Sequence, residues 1–485
     1  MTKQTLSSVS YIVGFFLIAL SFSMLAPLIT VFIFEHTASD IAAFFWSIIF
    51  TFFAGLFMIK QKGNKQTHLR PRDMYLLTAS SWIIVCIFAA LPMTMISHIS
   101  YTDAFFEAMS GITTTGATVL SHLDDSPKGL LMWRSMLHWI GGVGFIVMAV
   151  AVLPMLRVGG MRLFQTESSE WSEEKVLPRS HIIAKYILSI YLVFTLIGII
   201  GFYWAGMSLF DAINHSMSAV STGGFSTSDQ SIGKFLPAIH WIAIGLMLLG
   251  SLPFSLYVAT IKGNYQALWK DEQVRGFFTI LTIFCLLLTL WHWKNTEESF
   301  FDSLRVASVS VISVVTTTGF MVEDYSKWGG FAMIIFFYLT FLGGCSGSTT
   351  GGLKIFRFQV TLRLLNANLK QLIHPKAIIP QKYNGHNLDE EIVRSILTFS
   401  FFFCFIIAII ALILAFLGYD MVTSLTGAVT TVCNVGPGLG DVIGPASNFA
   451  SLPDLAKWVL SFGMLLGRLE IITLLVLLTP SFWRY

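Results

Sequence analysis

Charge is scarce in this sequence. Only 12% of its 485 residues are Asp, Glu, Lys or Arg, while 55% are hydrophobic, about half the charged fraction of an ordinary soluble domain. That excludes a chain that folds free in water. Cysteine is equally sparse: Cys86, Cys285, Cys345, Cys404 and Cys433 lie scattered in apolar segments, without the spacing of zinc ligands or of a disulfide framework. No nucleophile with a paired base, and no cluster of His, Asp and Glu, falls within the apolar segments, so nothing points to an enzyme. A cleavable leader is also missing, because the first apolar run, 9–34, is too long for a signal core and reads as a span.

What is present is a succession of apolar stretches long enough to cross a bilayer, which predicts an all-α polytopic membrane protein. A pair of helices, 9–34 and 41–59, opens a segment 1–60. Four units follow, at 73–160, 180–262, 274–372 and 390–485, each with a long helix, a short helix and another long helix. The expected helices are 74–96, 103–113 and 129–156; then 182–204, 211–220 and 235–261; then 277–293, 302–315 and a segment from 331 that is interrupted; then 392–418, 420–432 and 455–479. Ten full spans result. The short helices would measure roughly 15–21 Å at 1.5 Å per residue, half of a hydrocarbon core, as in re-entrant loops. Asp103, Asp211, Asp302 and Asp420 stand near their starts, suited to cap the helix and to meet its dipole.

Each short helix runs into a string of Thr, Ser or Asn with glycine: TTTGAT at 113–118, STGGF at 221–225, TTTGF at 316–320 and NVGPGLG at 434–440. Gly116, Gly224, Gly319 and Gly436 recur at intervals of 108, 95 and 117 residues. One string alone reads equally well as close helix packing. Four, each ending a half-length helix, predict a pseudo-fourfold ring closed by one chain. Such a ring presents helix C-termini and backbone carbonyls in place of an ion's water. Glycine is expected to carry the left-handed turn, because β-branched residues are strained there. A ring electronegative without carboxylates suits a monovalent cation. In the second string Gly224 is aligned rather than Gly223, because Phe225 then matches Phe320 and Asp211 lies 13 residues back, as Asp103 does from Gly116.

Twenty of the 30 Lys and Arg fall in or beside four connections, 60–72, 157–185, 262–275 and 354–394. The positive-inside rule makes these cytoplasmic, with both termini inside. The ten-residue stretch Gly343, Gly344, Cys345, Ser346, Gly347, Ser348, Thr349, Thr350, Gly351, Gly352 interrupts the last helix of the third unit. Five glycines in ten positions, at roughly 1 kcal/mol each relative to Ala, do not hold a helix. It is not a phosphate loop, since no Gly-Lys-Ser/Thr closes it and no strand precedes it. A broken helix lining a path and a tight packing element both remain open. Arg468 lies about 17 Å from either end of 455–479, too deep to snorkel, and so marks either function or a buried salt bridge. Glu470, two residues on, faces elsewhere on a continuous helix and is a poor partner. Glu107, Arg305, Arg134 and His138 read as braces, and His215 and His240 as interfacial residues.

These strings, with GCSGSTTGG at 344–352 and GRLE at 467–470, resemble the membrane subunits of the Trk/Ktr/HKT superfamily of potassium transporters over essentially the whole chain. The helix pair ahead of the four units favours the Trk branch. The resemblance implies a bacterial cytoplasmic membrane location and potassium as the transported ion, with no covalent cofactor. It implies a filter at Thr114, Thr115, Gly116, Thr222, Gly223, Gly224, Thr317, Thr318, Gly319, Asn434, Val435 and Gly436, with glycine in all four quarters favouring K⁺ over Na⁺. In the family the glycine-rich loop obstructs the pore and an arginine at the position of Arg468 repels cations. A homodimer, and a cytoplasmic ring of nucleotide-binding regulatory domains that binds the nucleotide in place of this chain, are implied as partners. Another monovalent cation, or a non-conducting scaffold, is the alternative.

Overall fold

The computed structural model describes residues 3–61, 71–151, 176–377 and 379–484. Lys62, Lys65 and Arg70 of the first basic connection, most of 157–185, and the end of the helix expected to reach 156 lie outside the described residues. An opening helix, Lys3–Ser23 continued by Leu25–Phe34, packs along Ala38–Lys60. Their contact is built on two glycines: a Cβ on Gly14 would meet the Gly55 carbonyl at 2.7 Å, and one on Gly55 would meet that of Gly14 at 2.8 Å. Small residues permit this approach of two backbones where lipid offers no hydrophobic drive.

Four long–short–long units follow. The first holds Pro71–Ser97, Tyr101–Ile112 and Lys128–Ala151; the second Val176–Trp204, Leu209–Val220 and the pair Pro237–Ser251 and Phe254–Ile261. The third holds Glu272–Asn295, Phe300–Val315, Gly330–Phe341 and Ile355–Ile373; the fourth Glu390–Phe416, Met421–Cys433 and the pair Asp454–Arg468 and Ile471–Leu478. Burial divides by length. The short helices are enclosed, every residue from Val306 to Val315 among them, whereas only 28–39% of most long spans is buried. Their outward Phe and Leu side chains face the place where lipid would be the solvent.

The short helices start one residue pattern earlier than the aspartates suggest. Ser100, Ser208 and Ser299 are the N-caps, each accepting the N–H of the aspartate three residues on, at 3.1 Å. Each serine hydroxyl also donates to that carboxylate, at 2.8, 2.7 and 2.7 Å. This reciprocal Ser-x-x-Asp arrangement works as a capping box does. In the fourth unit Asp420 is itself the cap, accepting from the N–H groups of Val422 and Thr423. Counted from the cap, the glycine lies 16 residues on in units one, two and four and 20 in unit three. Unit three is simply longer by about one helical turn.

Seven helices among the described residues are long and apolar enough to span a membrane, and two bent pairs raise this to nine. The expected count was ten, with a single broken second helix. Instead the second helix is interrupted in three units. In unit two the bend is 88° at Leu252-Pro253, where Leu252 is extended (φ −89°, ψ 157°), as a residue before proline prefers. In unit four it is 114°, at Glu470 with φ 58°. In unit three the break separates a 12-residue apolar helix from the more polar Ile355–Ile373. Two short bridges accompany the helices: Leu342–Gly343 runs parallel to Leu353–Lys354, and Lys382–Tyr383 pairs with His386–Asn387.

Candidate filter and gate

The four strings share one backbone conformation. Thr114, Thr222, Thr317 and Asn434 have φ of 52°, 51°, 55° and 55°, and two residues later Gly116, Gly224, Gly319 and Gly436 have φ of 84°, 87°, 81° and 107°. This register selects Gly224 over Gly223. It also corrects the expectation that glycine alone takes the left-handed turn, since three β-branched threonines share it. Such threonines are held against steric cost by their surroundings. Asn434, which tolerates this region better, replaces threonine at the equivalent position in the fourth string.

The strings close on each other in sequence. A Cβ on Gly116 would strike the carbonyl of Gly223; on Gly224, that of Thr318; on Gly319, that of Val435; on Gly436, that of Thr115, at 2.7 Å. Each glycine thus abuts the residue just before the glycine of the next unit, and the fourth returns to the first. The four glycines line a single open cavity of about 120 Å³. No side chain larger than hydrogen fits where the strings meet.

Side chains brace the ring from behind. Thr113 and Thr115 share a hydrogen bond at 2.7 Å, and Thr316 and Thr318 one at 2.8 Å. Asn434 Nδ2 donates across to Thr115 Oγ1 and to Met464 O, both at 2.9 Å. The fully buried carboxylate of Glu107 accepts from Arg134 Nε at 2.7 Å, from Val119 N–H and from Thr118 Oγ1. Arg134 donates onward to Ser226 O, so this pair ties the first string to the second. His138 stacks on Phe225, with ring centroids 4.0 Å apart. His215 and His240 are enclosed by protein, His215 bonding Asp211 O and Ser226 Oγ and His240 bonding Ile232 O and Arg305.

The glycine-rich loop sits against this ring. Thr222 Oγ1 donates to Thr349 Oγ1 at 3.1 Å, Gly351 N–H donates to Thr317 Oγ1 at 2.8 Å, and a Cβ on Gly351 would collide with Cys433 O and Asn434. The loop therefore touches three of the four left-handed residues. Its flanks are pinned to the bend of unit two: Cys345 N–H and Thr349 N–H donate to Ser251 O and Gly250 O, and Phe254 N–H donates to Gly347 O. Ser346 N–H donates to Gln273 Oε1 at 2.6 Å. Gly343 lies within the closing bridge and Gly344 just after it, where a side chain would meet Gly351 O and Thr350 respectively. Ser348 caps Cys345 O at 2.6 Å, and Gly352 takes φ 66°. The bridge strand Leu342–Gly343 does precede the loop, contrary to the expectation of no strand, yet a two-residue bridge makes no phosphate cradle.

Arg468 ends the first half of the bent helix and meets the loop directly. Its Nη1 donates to Thr349 O at 2.8 Å, its guanidinium lies 4.0 Å from the centre of the Phe145 ring, and its Nε and Nη2 are buried with no hydrogen-bond partner. Two residues not singled out in the sequence, Lys354 and Arg357, complete the cluster together with Glu470. Lys354, counted there among cytoplasmic charges, is buried and donates to Thr350 O and, at 3.1 Å, to Thr350 Oγ1. Arg357, from the same basic connection, forms a buried ion pair with Glu470 at 2.7 Å. Glu470 thus partners an arginine more than a hundred residues away. The broken helix turns its carboxylate there, which a continuous helix would not. Three buried cations and one carboxylate lie on the far side of the ring from the cavity. The usable signal was the pairing of a basic residue with a glycine-rich break, within ten residues of each other.

A helical membrane protein whose single chain closes a four-string glycine ring above a cationic cluster defines a class of ion-conducting architecture. The sequence pattern of the TrkH family of cation transport proteins matches residues 39–485. The chain is 51% identical over 419 residues to the Trk system potassium uptake protein TrkI of Halomonas elongata, covering 86% of this chain and 85% of that one. It is 37% identical over 487 residues to the Trk system potassium uptake protein TrkH of Vibrio parahaemolyticus, covering 98% and 99%. The crystal structure of the potassium transporter TrkH from Vibrio parahaemolyticus superimposes with a TM-score of 0.90 at 35% identity, over 99% of both chains. The chain belongs to the TrkH family, whose members are cation transport proteins and not enzymes.

Proposed function

We propose that this chain takes up K⁺ across a bacterial cytoplasmic membrane through a pore on the axis of the four-string ring. The segments 73–160, 180–262, 274–372 and 390–485 act as its four repeats, after an accessory pair in 1–60. The observation that carries the reading is the cyclic abutment of Gly116, Gly224, Gly319 and Gly436 on their neighbours' carbonyls. A backbone packed this tightly, with alternate residues left-handed, offers carbonyl oxygens at fixed spacing to a dehydrated monovalent cation. The strings 114–116, 222–224, 317–319 and 434–436 form the filter. Names of relatives that specify potassium uptake support the ion.

The loop 343–352 is the gate and Arg468 its electrostatic barrier. Charge near the path raises the energy of a passing cation most where water is excluded. Both termini and the basic connections face the cytoplasm. There a homodimer of this chain meets a ring of nucleotide-binding regulatory domains, which holds the nucleotide. Names that place the relatives in a Trk system support an assembly of several components. The test is K⁺ flux into liposomes holding the purified chain, with Na⁺ and Rb⁺ as competitors. Uptake that favours K⁺ is expected; a Na⁺-preferring flux or none at all would refute the reading.

A further inference from the structure

Among the described residues, one cluster of metal-ligating side chains lies outside the ring and gate. His292, in the last turn of Glu272–Asn295, is 2% exposed; its Nδ1 lies 4.0 Å from Glu298 Oε2 in the next connection, and its Nε2 faces Glu323, four residues after Gly319. One ligand atom from each of the three falls within 4.8 Å of the others. The imidazole is fixed from two sides: its Nδ1 lies 3.0 Å from Ser303 Oγ, and its ring packs on Trp328 with centroids 4.6 Å apart. With Nδ1–H donating to that hydroxyl, the lone pair of Nε2 points at Glu323 Oε2, 3.4 Å away. That separation is long for a hydrogen bond between charged groups. It matches the distance of about 3.4 Å between two ligands on a tetrahedral ion held at about 2.0–2.1 Å. Glu298 Oε2 is buried without a hydrogen-bond partner.

We propose that His292, Glu298 and Glu323 form a site for a divalent transition-metal ion of the Zn²⁺ class, which ties the segment leaving the third filter string to the end of the adjacent long helix. One imidazole and two carboxylates are a set that suits such an ion, with Ser303 in the orienting role that metal-bound histidines require. The charges also balance, since two carboxylates and a neutral imidazole match a divalent cation.

The full-length chain in detergent, with any affinity tag removed, is titrated with Co²⁺ and then Zn²⁺. One equivalent of Co²⁺ is expected to give an intense tetrahedral visible band that Zn²⁺ abolishes. Glu298→Gln and Glu323→Gln should each weaken binding by roughly tenfold or more, while Glu297→Gln, at the neighbouring position, leaves it unchanged. Amide exchange across 320–328 should slow at saturating Zn²⁺. Absence of a saturable band, or Glu298→Gln binding Co²⁺ as tightly as the unaltered chain, overturns the site. Unchanged exchange across 320–328 overturns the tie.

Discussion

Two glycine-rich regions lie in contact at the centre of this molecule, and they are held by different means. In the ring each glycine presses on a carbonyl of the next unit, so its shape is set by backbone against backbone. In the loop 343–352 one glycine, Gly351, presses on a carbonyl of another unit, that of Cys433, and the other ties to the rest of the protein are mostly single hydrogen bonds to side chains and to bent-helix carbonyls, with charged groups on its far side. Close-packed backbone has few alternative arrangements. A loop held by separable hydrogen bonds has several. Glycine content alone therefore does not tell the two regions apart; the share of their contacts made backbone against backbone does.

The comparison is broken most severely through the charged ties. Glu470→Ala leaves Arg357 buried and without this carboxylate, and the loss should be about 3–5 kcal/mol, read as a lower midpoint of thermal unfolding in detergent. Replacing Arg357 by Met in the same chain should restore much of it. A midpoint unchanged by Glu470→Ala would show that the pair is not a structural tie.

Gly319→Ser tests the ring. A side chain there meets Val435 O and the Pro437 ring, and K⁺ over Na⁺ selectivity in liposome flux should fall about tenfold, equivalent to about 1.4 kcal/mol. Gly347→Ser in the loop should leave selectivity alone. Equal ion-competition profiles for Gly319→Ser and the unaltered chain would reject the filter assignment. Arg468→Ala should raise basal cation flux several-fold, by removing a buried positive charge and its bond to Thr349 O. Flux equal to or below the unaltered level would reject the barrier.

The smallest effect concerns the exposed pair Lys234–Asp124, at 2.5 Å. Burial alone would raise the Asp124 carboxyl, but bonds from Lys234, Ser228 and Asp229 outweigh it and hold it below the ordinary carboxylate value. A carboxyl depressed in the folded state adds stability above its unfolded pKa, and that contribution fades as pH falls through the folded value. Lys234→Met should cost no more than about 1 kcal/mol near neutral pH and nothing once the solution is acid enough to protonate Asp124. A cost that persists at the lowest pH would assign the effect to packing.

Much of this was legible in the sequence because it repeats. The short helices, the four glycines and the choice of Gly224 all follow from comparing one unit with another. The cap register escaped because Asp420 caps directly whereas Asp103, Asp211 and Asp302 sit three residues inside, a difference of role within one residue type. Pro253 did signal the bend of unit two, but hydropathy running through it suggested one helix. Glu470 gave no local signal at all. Its carboxylate pairs with Arg357, and partners that distant are chosen by packing, not by neighbours in the chain. The strained threonines were illegible for the same reason, since propensity argues against them.

The ring's closure within one polypeptide has a consequence for how it varies. A pore assembled from four identical subunits receives every substitution fourfold, so no quarter changes alone. Here each quarter is written once. Asparagine stands in for threonine at position 434, and the loop beneath is supplied from one side only. Such a chain acquires lopsidedness one residue at a time, and a loop supplied by a single quarter has no symmetry-related copies to match.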